Sequence, residues 1–219
     1  MNSLNSNRIV VTSQEELNNL DSSDKVVINF GTMETPAILN RNFDTIDVIN
    51  TSVVSVGDGC VVSFYDRSRS IGNPKKSILT AYDDATISVK NDGKNNIFAY
   101  GGTVYVSGDN AVVGLGRSKI NVINERGIVF SNYPVLSLYE TSTADLYGSV
   151  KLYMYGNTLA NVCFDGCIFA DMSDYFTILM SCKNKESFNN INQLRDNARV
   201  VLLSDSDIEK DLIGNGYEM

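Results

Sequence analysis

One nine-residue pattern recurs along the middle of the chain, and it restricts the fold more than any other feature. In Ala81-Tyr-Asp-Asp-Ala-Thr-Ile-Ser-Val89 an apolar residue is followed by bend-forming residues, a small residue, and then polar and apolar residues in alternation. The same order fits 56–64, 98–106, 114–122, 130–138, 146–154 and 162–170, with starts that advance by 25, 17, 16, 16, 16 and 16 residues. Self-similarity at a fixed short period marks a repeat architecture. Three columns of the alignment are apolar: Val56, Ala81, Phe98, Gly114, Phe130, Leu146 and Val162; then Val62, Ile87, Val104, Ile120, Leu136, Leu152 and Ile168; then Phe64, Val89, Val106, Val122, Leu138, Met154 and Ala170. A fourth column is mostly small: Cys60, Ala85, Gly102, Ser118, Pro134, Val150 and Gly166.

Apolar residues two apart mean strands with one buried face, and the Gly/Asp/Asn pairs before the small column mean bends. A unit of sixteen residues cannot bury its own apolar face. Stacked units can, by placing like residue on like residue about 4.8 Å apart. The pattern therefore predicts an all-β fold, a parallel β-solenoid (β-helix) of about seven coils. An antiparallel sandwich also has short strands, but it has no need of a constant register.

The long first interval contains Arg67-Ser-Arg-Ser-Ile-Gly-Asn-Pro-Lys-Lys76, which reads as a loop inserted at 67–76. Three segments follow from this reading. Residues 1–50 form an N-terminal strand–helix–strand cap, 51–170 the solenoid body, and 171–219 a C-terminal strand–helix–strand cap with an acidic tail. In the first cap, Ser13-Gln-Glu-Glu16 is a capping box that opens a helix over 14–20, between strands at 9–11 and 26–30. In the last, 175–182 and 199–203 read as strands. Lys185 to Asn197 reads as a helix with Phe188, Ile191 and Leu194 on one face.

The repeat resembles short-coil β-solenoid proteins of the AY-x-x-A-T-x-x-V type found among phage and gut-bacterial proteins. The resemblance covers 56–170. It rests on Ala81-Tyr82 with Ala85-Thr86-Ile87-Ser88-Val89, and more loosely on Ala99-Tyr100 and Leu146-Tyr147. It implies a solenoid fold and a phage or mobile-element origin, and it carries over no catalytic residue.

Composition removes much of the available chemistry. The chain has no histidine, which excludes a Ser-His-Asp triad, a Cys-His pair, a histidine base and His-ligated zinc. Glycan cleavage needs paired carboxylates; Asp83 and Asp84 are the best placed, but Asp is also an ordinary bend residue. Acidic residues do not repeat in one column, so a calcium ladder is not expected. Cys163-Phe-Asp-Gly-Cys167 lacks a second pair at metal spacing, and Cys60 and Cys182 stand apart. No cofactor and no metal are expected. The net charge is −8 and the pI about 4.5, with residues 51–170 neutral and both ends acidic. That composition disfavours nucleic acid as a partner. The start of the chain has no apolar signal region and no membrane span is present, so the expected compartment is a reducing cytoplasm.

Two surfaces are candidates for contact. The first is the outward side of the repeat, where Tyr105, Tyr153 and Phe169 stand among Lys119, Lys151 and other polar residues, with Tyr147 and Tyr155 nearby. Aromatic residues amid polar ones are typical of recognition surfaces. The second is the basic segment with Arg67, Arg69, Lys75 and Lys76. The expectation is a non-enzymatic interaction module, monomeric or a side-by-side dimer, that binds another macromolecule. A protein partner is favoured, in the specific form of an inhibitor or adaptor acting on a host protein. A carbohydrate-binding or carbohydrate-cleaving protein and a self-assembling structural protein are the alternatives.

Overall fold

The computed structural model describes residues 8–123, 134–147, 150–155, 158–162, 168–172, 178–181, 191–194 and 199–202. The elements in chain order are β1 (Arg8–Val11), α1 (Gln14–Asn18), β2 (Lys25–Ile28), β3 (Ala37–Leu39), β4 (Thr45–Val48), β5 (Val53–Val56), β6 (Val61–Phe64) and β7 (Arg69–Ile71). Next come β8 (Ile78–Tyr82), β9 (Thr86–Lys90), β10 (Asn96–Tyr100), β11 (Thr103–Ser107), β12 (Ala111–Leu115), β13 (Lys119–Ile123), β14 (Val135–Leu138) and β15 (Thr143–Tyr147). The last are β16 (Val150–Met154), β17 (Leu159–Val162), β18 (Ile168–Met172), β19 (Ile178–Ser181), β20 (Ile191–Leu194) and β21 (Arg199–Leu202).

From β2 onward the strands alternate between two parallel sheets. Sheet I has the order β1-β2-β4-β6-β8-β10-β12-β14-β16-β18-β20, and sheet II runs from β3 through the odd strands to β21. The chain is a β-solenoid with a two-sided coil: each turn gives one strand to each sheet. The inward residues of both sheets make one apolar core. Val62, Leu79, Ile97, Val112, Leu136 and Leu152 stack in sheet I, and Ile87, Val104 and Ile120 in sheet II, all essentially inaccessible.

The two kinds of corner hold the coils in register. Where sheet I passes to sheet II, one residue has a left-handed backbone: Asn50, Asp66, Asp83, Gly101, Gly116 and Glu140, with φ between 53 and 120°. Gly, Asn and Asp bear this conformation at least cost. A buried small residue follows, in turn Ser52, Ser68, Ala85, Gly102, Ser118 and Ser142. Its size is dictated by close approach. A Cβ on Gly102 would lie 2.6 Å from the Ala85 carbonyl oxygen and 2.7 Å from the Ala81 Cβ.

Where sheet II returns to sheet I, a buried polar ladder replaces the apolar core. The Cys60 N–H donates to Ser77 Oγ at 3.1 Å, the Ser77 N–H to Asn95 Oδ1 at 2.9 Å, and the Asn95 N–H to Asn110 Oδ1 at 3.1 Å. Asn95 Nδ2 also donates to the Pro74 carbonyl at 2.8 Å, and Asn110 Nδ2 to the carbonyls of Asn91 and Ser107. These amides satisfy corner groups that no strand reaches, which burial would otherwise make costly. Buried Pro134 takes the next place in the column and has neither N–H nor side-chain acceptor to extend the ladder.

The pairing register corrects the constant period of sixteen. In sheet I, Phe64 stacks on Ala81, then Ala99, Gly114, Leu138, Met154 and Met172, which are steps of 17, 18, 15, 24, 16 and 18 residues. Both half-coils present the same order of inward, bend, small and alternating residues, so a template can slide by half a coil unnoticed. The copies at 81, 98 and 114 span the corner from sheet I to sheet II. Those at 56, 146 and 162 span the opposite corner. Phe98, expected inward, lies outward and half-buried, with Ala99 inward, because the corner after β10 is one residue shorter than the corner after β8.

The supposed loop at 67–76 is corrected by the same shift. It contains β7, which pairs β5 and β9 inside sheet II. The boundary at 50 also moves, since β2 and β4 are already rungs of sheet I. At the other end the expected helix over 185–197 is contradicted at 191–194. There β20 pairs β18 through a register irregularity, with Ala170 beside Ile191 and Met172 beside Leu194. That shift gives Ile191 and Leu194 a helix-like spacing of three. The strands expected at 175–182 and 199–203 are present as β19 and β21. The tail from Ser204 lies outside the described residues, as do Cys163, Cys167 and Cys182.

At the N-terminal end the helix expected from the Ser13 capping box is present as α1, between two strands of sheet I. Ser13 Oγ accepts from the Glu16 N–H, and Glu16 Oε2 accepts from the Thr12 N–H at 2.6 Å. The Gln14 side chain pairs with edge strand β3 as a strand would: Nε2 donates to the Ile38 carbonyl and Oε1 accepts the Ile38 N–H, at 3.0 and 2.7 Å. This closes part of an edge that would otherwise be open to pairing. Arg41 Nη2 donates to the Leu17, Asn18 and Leu20 carbonyls, which ends the helix.

An Asn95→Leu substitution keeps volume and removes the ladder. Each orphaned buried group should cost about 1–3 kcal/mol, read as a lower denaturant midpoint. An unchanged midpoint would show that water reaches this corner.

Candidate functional site

The outward residues predicted as one face belong to two. Tyr105 on β11 and Lys119 on β13 lie on sheet II, where Tyr147 ends β15. Tyr153 and Lys151 on β16 and Phe169 on β18 belong to sheet I, with Lys151 and Phe169 paired in register. Their two-residue alternation is real, but the half-coil slip placed opposite sides of the molecule in one column. Tyr105 is exposed and Tyr153 half-buried; Lys119 Nζ lies 3.0 Å from Asp145 Oδ2. The side chains of Tyr147, Lys151 and Phe169 lie outside the described residues.

The basic segment also divides. Arg67 sits at the corner from sheet I to sheet II and Arg69 on β7, whereas Lys75 and Lys76 sit at the return corner before β8. All four are exposed, but they do not form one patch.

The structure brings together a different surface. Five consecutive strands of sheet I, β6, β8, β10, β12 and β14, expose three rows. The first is Val61, Ile78, Asn96, Ala111 and Val135, and the second is Ser63, Thr80, Phe98, Val113 and Ser137. The third is Tyr65, Tyr82, Tyr100, Leu115 and Tyr139, in which Tyr65 and Tyr139 lie one residue past their strands. None of these fifteen residues is charged, and each is exposed or half-buried. The outer face of sheet II differs: it carries Arg69, Lys119 and Asp145.

The third row is an aromatic ladder. Tyr65 and Tyr82 stack with centroids 4.7 Å apart and planes 5° from parallel, and Tyr82 and Tyr100 at 5.3 Å and 10°. Beyond Leu115, Tyr139 stacks on Tyr155 at 4.8 Å and 13°. The spacing is that of the strands themselves, so in-register pairing produces the stack. The ring faces are turned on one another. Burial, and after it the neighbouring Tyr82, pushes the Tyr65 hydroxyl above the usual tyrosine range; burial and then Tyr100 do the same for Tyr82. Both stay neutral, so the row adds no charge.

Sequence reading found Tyr155 but not the ladder. The available signal was positional: tyrosine directly precedes the left-handed corner residue in Tyr65-Asp66, Tyr82-Asp83, Tyr100-Gly101 and Tyr139-Glu140. Asp83 and Asp84, the carboxylates considered for glycan cleavage, are exposed at one such corner. Among the described residues there is no group of three or more potential metal ligands, and no helix is long and apolar enough to cross a membrane. Cys60 is buried, and burial pushes its thiol up, away from the reactive thiolate. Comparison with family models, curated proteins and solved structures finds no match to this chain.

The ladder carries a pH signature. A folded-state pKa raised above the unfolded value of about 10 gives stability that is full below that pH and is lost as pH rises through the raised values. The denaturation midpoint should hold steady up to about pH 10 and then fall, and Tyr82→Phe should lessen the fall. An identical alkaline profile in the variant would remove Tyr82 as its source.

Proposed function

We propose that this protein is a non-enzymatic interaction module that receives a protein surface on the uncharged outer face of sheet I. The observation that carries the reading is the run of fifteen outward positions without a charge, on a molecule of net charge −8. An uncharged area that mixes apolar and aromatic residues with Ser63, Thr80, Asn96 and Ser137, rimmed by charged corners, matches the make-up of a protein interface. Tyrosine contributes because its ring is large and its hydroxyl finds partners.

Other partners fit this face less well. Nucleic acid requires cations along the binding surface, and the face has none. A sugar platform requires a free ring face, and Tyr82 is covered on both sides by Tyr65 and Tyr100. The narrower reading, an inhibitor or adaptor acting on a host protein, rests on the resemblance of the repeat to phage and gut-bacterial solenoid proteins.

Affinity capture from a lysate tests this reading with Phe98→Lys, which places one charge at the centre of the face and leaves the core untouched. The variant should keep its circular dichroism and hold a captured protein at least about tenfold more weakly, about 1.4 kcal/mol. Tyr105→Ser, on the opposite sheet, should capture as the parent does. Equal capture by parent and Phe98→Lys, with loss in Tyr105→Ser, would move the binding surface to sheet II.

A further inference from the structure

We infer that the occupant of this face is a second copy of the chain, packed sheet I against sheet I about a two-fold axis parallel to the solenoid axis. The inference rests on the reading of that face as a docking surface. An uncharged face offers no ion to pair, so it selects a partner face that is also uncharged, and the chain itself carries one. Contact through the outer face of sheet II would instead set Arg69, Lys119 and Asp145 against their own copies.

Side-chain size and rim charge select the geometry. The tyrosine row carries the largest side chains of the face, and the row of Val61, Ile78, Asn96, Ala111 and Val135 smaller ones. A two-fold along the solenoid axis sets the row of large side chains of each copy on the row of smaller ones of the other. It also sets the corner with Asp66, Asp83 and Asp84 against the corner with Lys75, Lys76 and Lys94, all exposed. Among the described residues the first corner also holds Arg67, Arg117 and Glu140 and the second Asp58, Asp92 and Asp109, so the attraction is local: Asp83 and Asp84 follow β8, which Lys75 and Lys76 precede, and Arg117 follows β12, which Asp109 precedes. The other face-to-face arrangement, with solenoid axes opposed, would set tyrosine on tyrosine and aspartate on aspartate.

The face spans about 20 Å along the axis and about 15 Å across, from strand and residue spacings. That is smaller than a standard interface of about 800 Å² per partner, so the dimer is reversible and depends on concentration. In the chosen geometry each residue of the middle row faces its own copy, which gives the test. Thr80→Cys, treated with a short bismaleimide in concentrated protein, should yield a product in which the residue-80 peptide is joined to its own copy, identified by mass spectrometry. Ser88→Cys, on sheet II, should not yield the equivalent product. In parallel, the weight-average mass from sedimentation should rise with concentration toward two chains, and Thr80→Lys should abolish the rise. A monomer at every concentration that still captures a foreign protein through Phe98 overturns the dimer and leaves the docking reading in place. A monomer that captures nothing overturns both.

Discussion

Everything in this molecule depends on how one coil's corners sit on the next. The left-handed residue at each passage from sheet I to sheet II lets the chain reverse within two or three residues. The small residue after it lets successive corners approach to backbone contact, as the 2.6 Å clearance at Gly102 requires. On the other side the Ser77–Asn95–Asn110 ladder binds each corner to its neighbour through buried hydrogen bonds. With both corners fixed, the strands between them must pair in register. The apolar rows and the tyrosine stack follow from that pairing. Coil lengths of 15 to 24 residues are tolerated because the differences fall between the paired strands and not within them.

A two-sided coil has a functional consequence that a three-sided one would dilute. All outward residues fall on two broad faces, and small differences in sequence accumulate along a row into a difference between faces. One face carries Arg69, Lys119 and Asp145. The other runs through five strands without a charge and ends in stacked tyrosines. The rigid register makes that second face flat and pre-ordered, so binding to it orders little more of the chain.

The fold class was legible in the sequence because alternation and small corner residues are direct demands of strand pairing and close approach. The N-terminal helix was legible too: Ser13 accepts from the Glu16 N–H, Glu16 reaches back to the Thr12 N–H, and α1 lies between β1 and β2. Register was not legible, because the two half-coils are near-copies. Ser137 fits the pattern of sheet II as well as that of sheet I, and only its partner decides between them. The same ambiguity merged Tyr105 and Tyr153 into one face and made β7 look like an insertion. At the other end, a register irregularity gave Ile191 and Leu194 a spacing that a helix would also give. The tyrosine ladder was hidden for a related reason: its members lie one place outside the template's alternating columns, beside the bend.

The most direct test of this account is a pair of engineered cysteines that reports the register across the half-coil step. The structure puts Ser137 beside Val113 on adjacent strands of sheet I. A constant sixteen-residue repeat would put it beside Asn121 instead. Adjacent strands bring Cα atoms about 4.8 Å apart, within the range that a disulfide spans. Oxidation of the Val113→Cys, Ser137→Cys variant should give an intramolecular disulfide between those positions, mapped by mass spectrometry, and the Asn121→Cys, Ser137→Cys variant should give none. A disulfide in the second variant and none in the first would contradict the two-sheet register, and with it the uncharged face.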